Sequence, residues 1–294
     1  MRFNRLARLP ACTFGYNVGM KNERTFITSP GNPLIKKARA LNKRKVRFET
    51  GLFLVEGIHL VGEIIEAQWQ VDTLIYAPDQ LTSSFARNLV VQQTESGMQC
   101  QPVSAEVFSL IAEKENPQGI LAIVRQRTRT LEHLTSNSFS WGVALLSPQD
   151  PGNVGAILRT IDAVAADGLI LLETGVDPYH PSAVRASMGA LFWKPVVAAS
   201  FSEFIEWVHR GGYRLVGSSA HAQADYRVLR QESGRLVLLL GSEQKGLTRE
   251  QMGACDLIVG IPMLGRTTSL NLAVSAGILL SALKEGRSTI DESE

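Results

Sequence analysis

Five consecutive apolar residues, Leu236-Val237-Leu238-Leu239-Leu240, do more than any other stretch to limit what this chain can fold into. They do not alternate with polar residues, so a strand here presents apolar groups to both faces. Such strands belong to parallel sheets covered by helices on both sides. The surrounding chain agrees. From Trp141 onward the pattern places strands over 142–146, 169–172, 195–198, 214–217 and 236–240. Helical patterns over 155–166, 181–191, 201–209 and 246–252 lie between them. This alternation reads as an α/β fold.

The stretch Val259 to Leu283 closes the pattern. Residues 256–261 suit a buried strand, and 262–268 form a loop broken by Pro262 and Gly265. A long apolar helix follows, opened by Ser269-Leu270-Asn271 and rich in small residues such as Ala273, Ser275, Ala276 and Gly277. Ser269 is the candidate N-cap, since a hydroxyl there can accept from a free N–H of the first turn. Asn271 is either a second capping amide or a polar group in a ligand pocket at a strand-to-helix junction.

Two further loops follow apolar strands. One runs Ser147-Pro-Gln-Asp-Pro-Gly-Asn153 and on to Arg159; the other runs Gly241-Ser-Glu243-Gln-Lys-Gly246. Loops at the carboxyl ends of parallel strands meet at one sheet edge. That would gather Asn153, Arg159, Glu243, Ser269 and Asn271. Each has a plainer reading: Arg159 as an i,i+3 partner of Asp162, Glu243 as the cap of the helix near Gly246, Gly241 as a turn glycine rather than a point of ligand approach.

Composition excludes several classes. No apolar run reaches the roughly 20 residues that span a bilayer, so no membrane partner is expected. Cys12, Cys100 and Cys255 are far apart and the five histidines are scattered. That fits a reducing compartment and neither a disulfide framework nor a metal site. No G-x-G-x-x-G follows the first strand, no Walker A is present, and Gly175 and Ser182 form no nucleophile elbow.

Residues 1–50 carry 12 Lys+Arg against 2 Asp+Glu, a basic front on an acidic body. Residues 1–25 read as a basic, disordered extension or as the product of an upstream start with Met20 the functional one, with a targeting presequence as the alternative; they lack the apolar core of a secretory signal. Residues 26–126 read as a small α/β domain. Asn32-Pro33 opens a helix whose apolar face is Leu34, Ile35, Ala38 and Leu41. Lys36, Lys37, Arg39, Lys43, Arg44, Lys45 and Arg47 follow with no acid among them, which favours phosphate contact over a merely solvated face. Glu56, at the end of a strand over 53–57, is read as a helix-terminus anion, with ligand contact as the alternative. Residues 127–140 are polar and read as a linker, 141–288 as the second domain, 289–294 as a tail.

The three loops, in this order, resemble the three motifs of the SpoU (TrmH-like) RNA 2'-O-ribose methyltransferases of the SPOUT class. Motif one matches at Asn153 and Arg159, motif two at Gly241, Glu243 and Gly246, and motif three at Ile261-Pro262-Met263, Gly265 and Ser269-Leu270-Asn271. The segment from Pro181 to Leu191 is also similar. Ser29-Pro-Gly-Asn-Pro33 and Phe53-Leu-Val-Glu-Gly57 resemble the family's N-terminal substrate-binding domain, a ribosomal-protein-like RNA-binding module.

The resemblance implies a parallel sheet whose C-terminal segment is threaded as a deep trefoil knot, although chains are unknotted by default. It implies S-adenosyl-L-methionine bound largely through backbone at Gly241, Ile261, Met263 and Leu270, with no metal because the methyl donor is already activated. It places Arg159, Asn153, Glu243, Ser269 and Asn271 in the catalytic site, and a homodimer with that site at its interface. The expected activity is methylation of a ribose 2'-OH in the cytoplasm, in large-subunit rRNA first and tRNA second. The alternative is a non-catalytic RNA-binding protein that keeps the fold.

Overall fold

The computed structural model describes residues 25–291. The basic extension expected over residues 1–25 lies outside them, apart from Thr25, as do residues 292–294.

The first half forms a four-stranded sheet. α1 (Pro33–Ala40) starts at Pro33, with Asn32 Oδ1 accepting from Leu34 N at 2.9 Å. α2 (Arg44–Thr50) follows after a break at Lys43, so the basic run is split between two helices. β1 (Leu52–Glu56), α3 (Ile58–Glu66), β2 (Val71–Tyr76), α4 (Ser84–Glu95), β3 (Cys100–Pro102), α5 (Ala105–Ser109) and β4 (Ile120–Arg125) complete it. The strand order is β1-β4-β2-β3, antiparallel except for the β2–β3 pair.

The second half is the expected α/β unit: β5 (Trp141–Leu146), α6 (Pro151–Ala163), β6 (Leu169–Leu172), α7 (Pro181–Ala186), α8 (Ala190–Trp193), β7 (Val196–Ala199), α9 (Phe201–Gly211), β8 (Arg214–Ser218), β9 (Ala224–Asp225), β10 (Leu236–Leu240), α10 (Arg249–Gly253), β11 (Leu257–Gly260) and α11 (Leu272–Asp291). Every pairing in its sheet is parallel, in the order β7-β6-β5-β10-β8-β11-β9. All five residues of β10 are buried, as an unbroken apolar strand requires. β10 enters between β5 and β8, and β11 between β8 and β9, so two late strands occupy gaps among earlier ones. Leu240 lies opposite Leu145 and Leu239 opposite Gly217, which brings the loops after β5 and β10 out at one level.

Local chemistry moves several boundaries. The helix expected over 181–191 is two helices, because Met188 (φ 51°) and Gly189 (φ 98°) turn left-handed. A Cβ at Gly189 would also lie 2.9 Å from Glu63 Cγ. The helix expected from Gly155 begins at Pro151, with Asp150 Oδ1 accepting from Gly152 N at 2.7 Å. That is the cap-then-proline pattern of a helix start. The 127–140 segment is anchored rather than loose. Leu134 and Phe139 are buried, and their carbonyls accept from Trp207 Nε1 and Tyr213 Oη.

The two halves share one apolar core that includes Phe53, Trp69 and Phe192. Trp69 Nε1 donates to Phe192 O at 2.9 Å. Arg47 Nε donates to Asp177 Oδ2 at 2.7 Å, and its Nη1 donates to the carbonyls of Leu41 and Asn42. Arg185 pairs with Glu113 across the same seam.

Candidate active site at the carboxyl edge of the parallel sheet

Three strand-to-helix loops converge beyond β5, β10 and β11, and polar side chains join them in series. Asn153, in the first turn of α6 and 8% exposed, is the central link. Its Oδ1 accepts from Asn271 Nδ2 at 3.0 Å, and its Nδ2 donates to Glu243 Oε1 at 3.2 Å. Glu243 also accepts from Gln149 N at 3.2 Å and, at the limit of a hydrogen bond, from Asp150 N at 3.5 Å. An anion is favoured there, because those N–H groups lie at the positive end of α6. Glu243 therefore serves the start of α6, not the helix after Gly246. That helix begins at Arg249 and is capped by Thr248.

Asn271 combines the two roles left open by the sequence. Its Oδ1 accepts from Ala273 N at 2.9 Å and Val274 N at 3.3 Å, so it caps α11, while its Nδ2 reaches Asn153. The N-cap expected at Ser269 is thus corrected: Ser269 lies exposed two residues ahead, and the amide nearer the first turn takes the free N–H groups.

Gly241 is required by the chain itself. A Cβ there would lie 2.1 Å from the carbonyl carbon of Gly246, because the 241–246 loop folds back through a Gly246 N to Ser242 O bond of 2.9 Å. From Met263 to Leu270 the main chain makes no hydrogen bond to another described residue, and Ile261, Met263 and Leu270 are partly exposed beside it. Unpaired N–H and C=O groups at the rim of a sheet fit a ligand read through backbone, as expected for S-adenosylmethionine. Among the described residues no group of three or more His, Cys, Asp and Glu is placed to hold a metal ion.

Arg159 stands apart. It is exposed on α6, six residues and about 9 Å of helix rise beyond Asn153. The ion pair with Asp162 does not form; Asp162 lies 3.7 Å from Lys194 Nζ instead. No described residue holds the Arg159 guanidinium.

Of the six cations expected to meet RNA, Lys36, Arg39, Lys43 and Arg44 are exposed. Lys37 is half-buried and pairs with Asp72 at 2.9 Å. Arg47 is a correction: it is 1% exposed and turned inward onto Asp177, so it cannot touch a phosphate. Asp177 and His180 were not singled out from sequence. His180 Nδ1 accepts from Ser182 N at the start of α7; burial, and then the nearby Arg47, hold its pKa below the usual 6.5. No local pattern marks either residue. Glu56 is structural but not the helix-terminus anion expected: α3 has no side-chain cap, and Glu56 Oε2 instead accepts from Glu113 N, beyond α5, at 2.8 Å, while burial raises its carboxyl above 4.5.

Residues 141–281 match the SpoU rRNA Methylase family, and residues 32–122 match the MRM3-like substrate binding domain. The 23S rRNA (uridine(2479)-2'-O)-methyltransferase of Streptomyces viridochromogenes is 33% identical over 83% of this chain and 87% of its own length. This chain belongs to the SpoU family. The 23S rRNA (guanosine(2553)-2'-O)-methyltransferase RlmP of Bacillus subtilis (strain 168) is 29% identical over 88% of the SpoU-family chain and 98% of its own. An AdoMet-bound rRNA methyltransferase from Sinorhizobium meliloti superimposes with a TM-score of 0.80, at 35% identity, over 88% of this chain and 97% of that one. The span matched to the SpoU methylase begins at the first residue of β5 and ends inside α11, so it contains all three site loops.

Proposed function

We propose that this SpoU-family enzyme transfers a methyl group from S-adenosyl-L-methionine to a ribose 2'-OH of RNA, in large-subunit rRNA first and tRNA second. The hydrogen-bonded series Asn271–Asn153–Glu243 carries the reading, because it ties the three motif loops into one rigid edge. The two 23S rRNA relatives named above are called guanosine and uridine enzymes. A shared sugar with different bases supports ribose chemistry as the common element.

The sulfonium of the donor supplies an activated methyl group, so the chemistry calls for no metal. The chain must hold the hydroxyl in line and meet the charge that develops on it. Gly241, Ile261, Met263 and Leu270 hold the cofactor. Asn153 and Asn271 orient ribose and cofactor, Ser269 lies on the same rim, and Glu243 fixes the loop that presents Asn153. Arg159 contacts the target phosphate or the developing alkoxide. A guanidinium is a poor proton acceptor and a good planar donor to oxyanions, so the proposed role is charge stabiliser rather than base. The outward placement of Arg159 suits a site completed by a second subunit, in keeping with the proposed homodimer. Threading of the C-terminal segment as a knot is proposed from the family resemblance. The cytoplasm is the proposed location.

The test is transfer of labelled methyl from S-adenosylmethionine to unmodified rRNA and tRNA pools, with Arg159→Ala alongside, followed by nucleoside analysis. Label in 2'-O-methylribose that is lost in the variant is the expected result. RNA binding without transfer to any pool would overturn it in favour of a non-catalytic RNA-binding protein. An Arg159→Lys enzyme with normal turnover would exclude a role for the planar guanidinium fork.

A further inference from the structure

α2 carries a residue that the fold leaves without a partner. Phe48 is 88% exposed, while Arg47 beside it is buried. Among the described residues no aromatic ring stacks on Phe48 and no cation lies over it. Its neighbours on the same helix face are Arg44 at i−4 and Lys45 at i−3, both exposed. Lys43, Arg39 and Lys36 extend the positive surface; two carboxylates meet it, Glu49 at 3.8 Å from Lys45 and Asp72 on Lys37.

The orientation of α2 is fixed from its other side. Arg47 docks onto Asp177, in the loop that follows β6. β6 pairs directly with β5, whose following loop leads to Asn153. The buried guanidinium therefore sets α2 at the carboxyl edge of the parallel sheet, the edge that holds the candidate active site, and turns the next residue outward.

We propose that Phe48 is a stacking platform for an unpaired base of the RNA substrate, with Arg44 and Lys45 holding the flanking phosphates. The proposal rests on the RNA methyltransferase reading and deepens it: the substrate carries a single-stranded segment next to the methylated nucleotide. Charge complementarity selects RNA as the occupant, and an exposed aromatic within a basic surface selects unstacked bases over a duplex, whose bases are already stacked on one another.

The experiment measures affinity of the full chain for a labelled single-stranded oligoadenylate and for a blunt RNA duplex of equal length, alongside methyl transfer to unmodified rRNA. Phe48→Ala is expected to weaken single-strand binding by roughly five- to a hundredfold and leave duplex binding unchanged. Phe48→Trp restores the affinity, and S-adenosylmethionine binding stays as in the parent. Arg44→Ala lowers the slope of log affinity against log salt by about one unit on both RNAs. For the parent enzyme with rRNA, Phe48→Ala raises KM and spares kcat. Equal affinity of Phe48→Ala and parent for the single strand would overturn the proposal, as would a parent that prefers the duplex. A change of oligomeric state in Phe48→Ala would overturn it too, assigning the ring to a second copy. Absence of methyl transfer by the parent, with the single-strand effect intact, would count against the catalytic reading alone.

Discussion

The chain is tied together in two places by opposite means. At the carboxyl edge of the parallel sheet, amides and one carboxylate link three loops, and both ends of the series, Asn271 and Glu243, are open to solvent. Across the seam between the halves, a guanidinium and a carboxylate 1% and 14% exposed face each other beneath α2. Groups at the edge can exchange a lost partner for water. The buried Arg47 cannot, and its Nη2 is already a buried donor with no partner among the described residues. The difference separates precision from attachment: the edge positions atoms for chemistry, and the seam holds the basic helix at a fixed distance from them.

The sharpest way to break this contrast is at Asp177. Asp177→Ala leaves the Arg47 charge buried and unpaired, a loss of about 3–5 kcal/mol measurable by chemical denaturation. A double change of Arg47 to Met and Asp177 to Leu restores most of that stability, because two apolar groups need no partner. A smaller stability effect and a larger kinetic one are expected at the edge. Asn153→Ala costs about 1 kcal/mol of stability, since water takes its place at the exposed Glu243 and Asn271. It lowers methyl transfer on the order of 100-fold by loosening the three loops. Equal stability losses at the two positions would erase the distinction.

The smallest expected effect concerns Glu56, beside the Glu113–Arg185 pair. Burial raises its carboxyl above 4.5, so the folded state holds the proton more tightly than the unfolded chain. Its contribution is therefore fully present in acid and is lost as pH rises through the elevated value. Glu56→Gln should raise the melting temperature near neutral pH and give no advantage well below the usual carboxyl range. Thermal melts at several pH values read this directly; an advantage independent of pH would show that ionisation of Glu56 is not its cause.

Local patterns announced much of this molecule. The apolar run at 236–240 identified the parallel sheet, and the breakers at Pro262 and Gly265 separated strand, loop and helix before α11. What failed was decided at long range or by competition between neighbours. Arg47 sits in a run of seven bases and looks like the rest, but its acid partner is 130 residues away, and only folding turns it inward. Ser269 and Asn271 are both good caps; the register of α11 chose the second. Met188-Gly189 falls inside an apolar helical pattern, and the left-handed turn that divides it sets Gly189 against Glu63 on α3, where a side chain would collide. The relay through Asn153 needed the three loops to be neighbours. Motif spacing suggested this, while the partner of each atom came only from the coordinates.

The strand order carries a consequence for how the protein is made. β10 lies between β5 and β8, and β11 between β8 and β9, although both are synthesised after the strands they separate. A nascent chain that ends before Leu236 can therefore pair β5 with β6 and β6 with β7, but β5 and β8 each keep an open, apolar edge. Such edges invite pairing with other chains, and long-range parallel insertion is slow to complete. The sheet is closed only by its last third, so chains cut short of β10 and β11 are expected to fail as aggregates rather than persist as folded fragments.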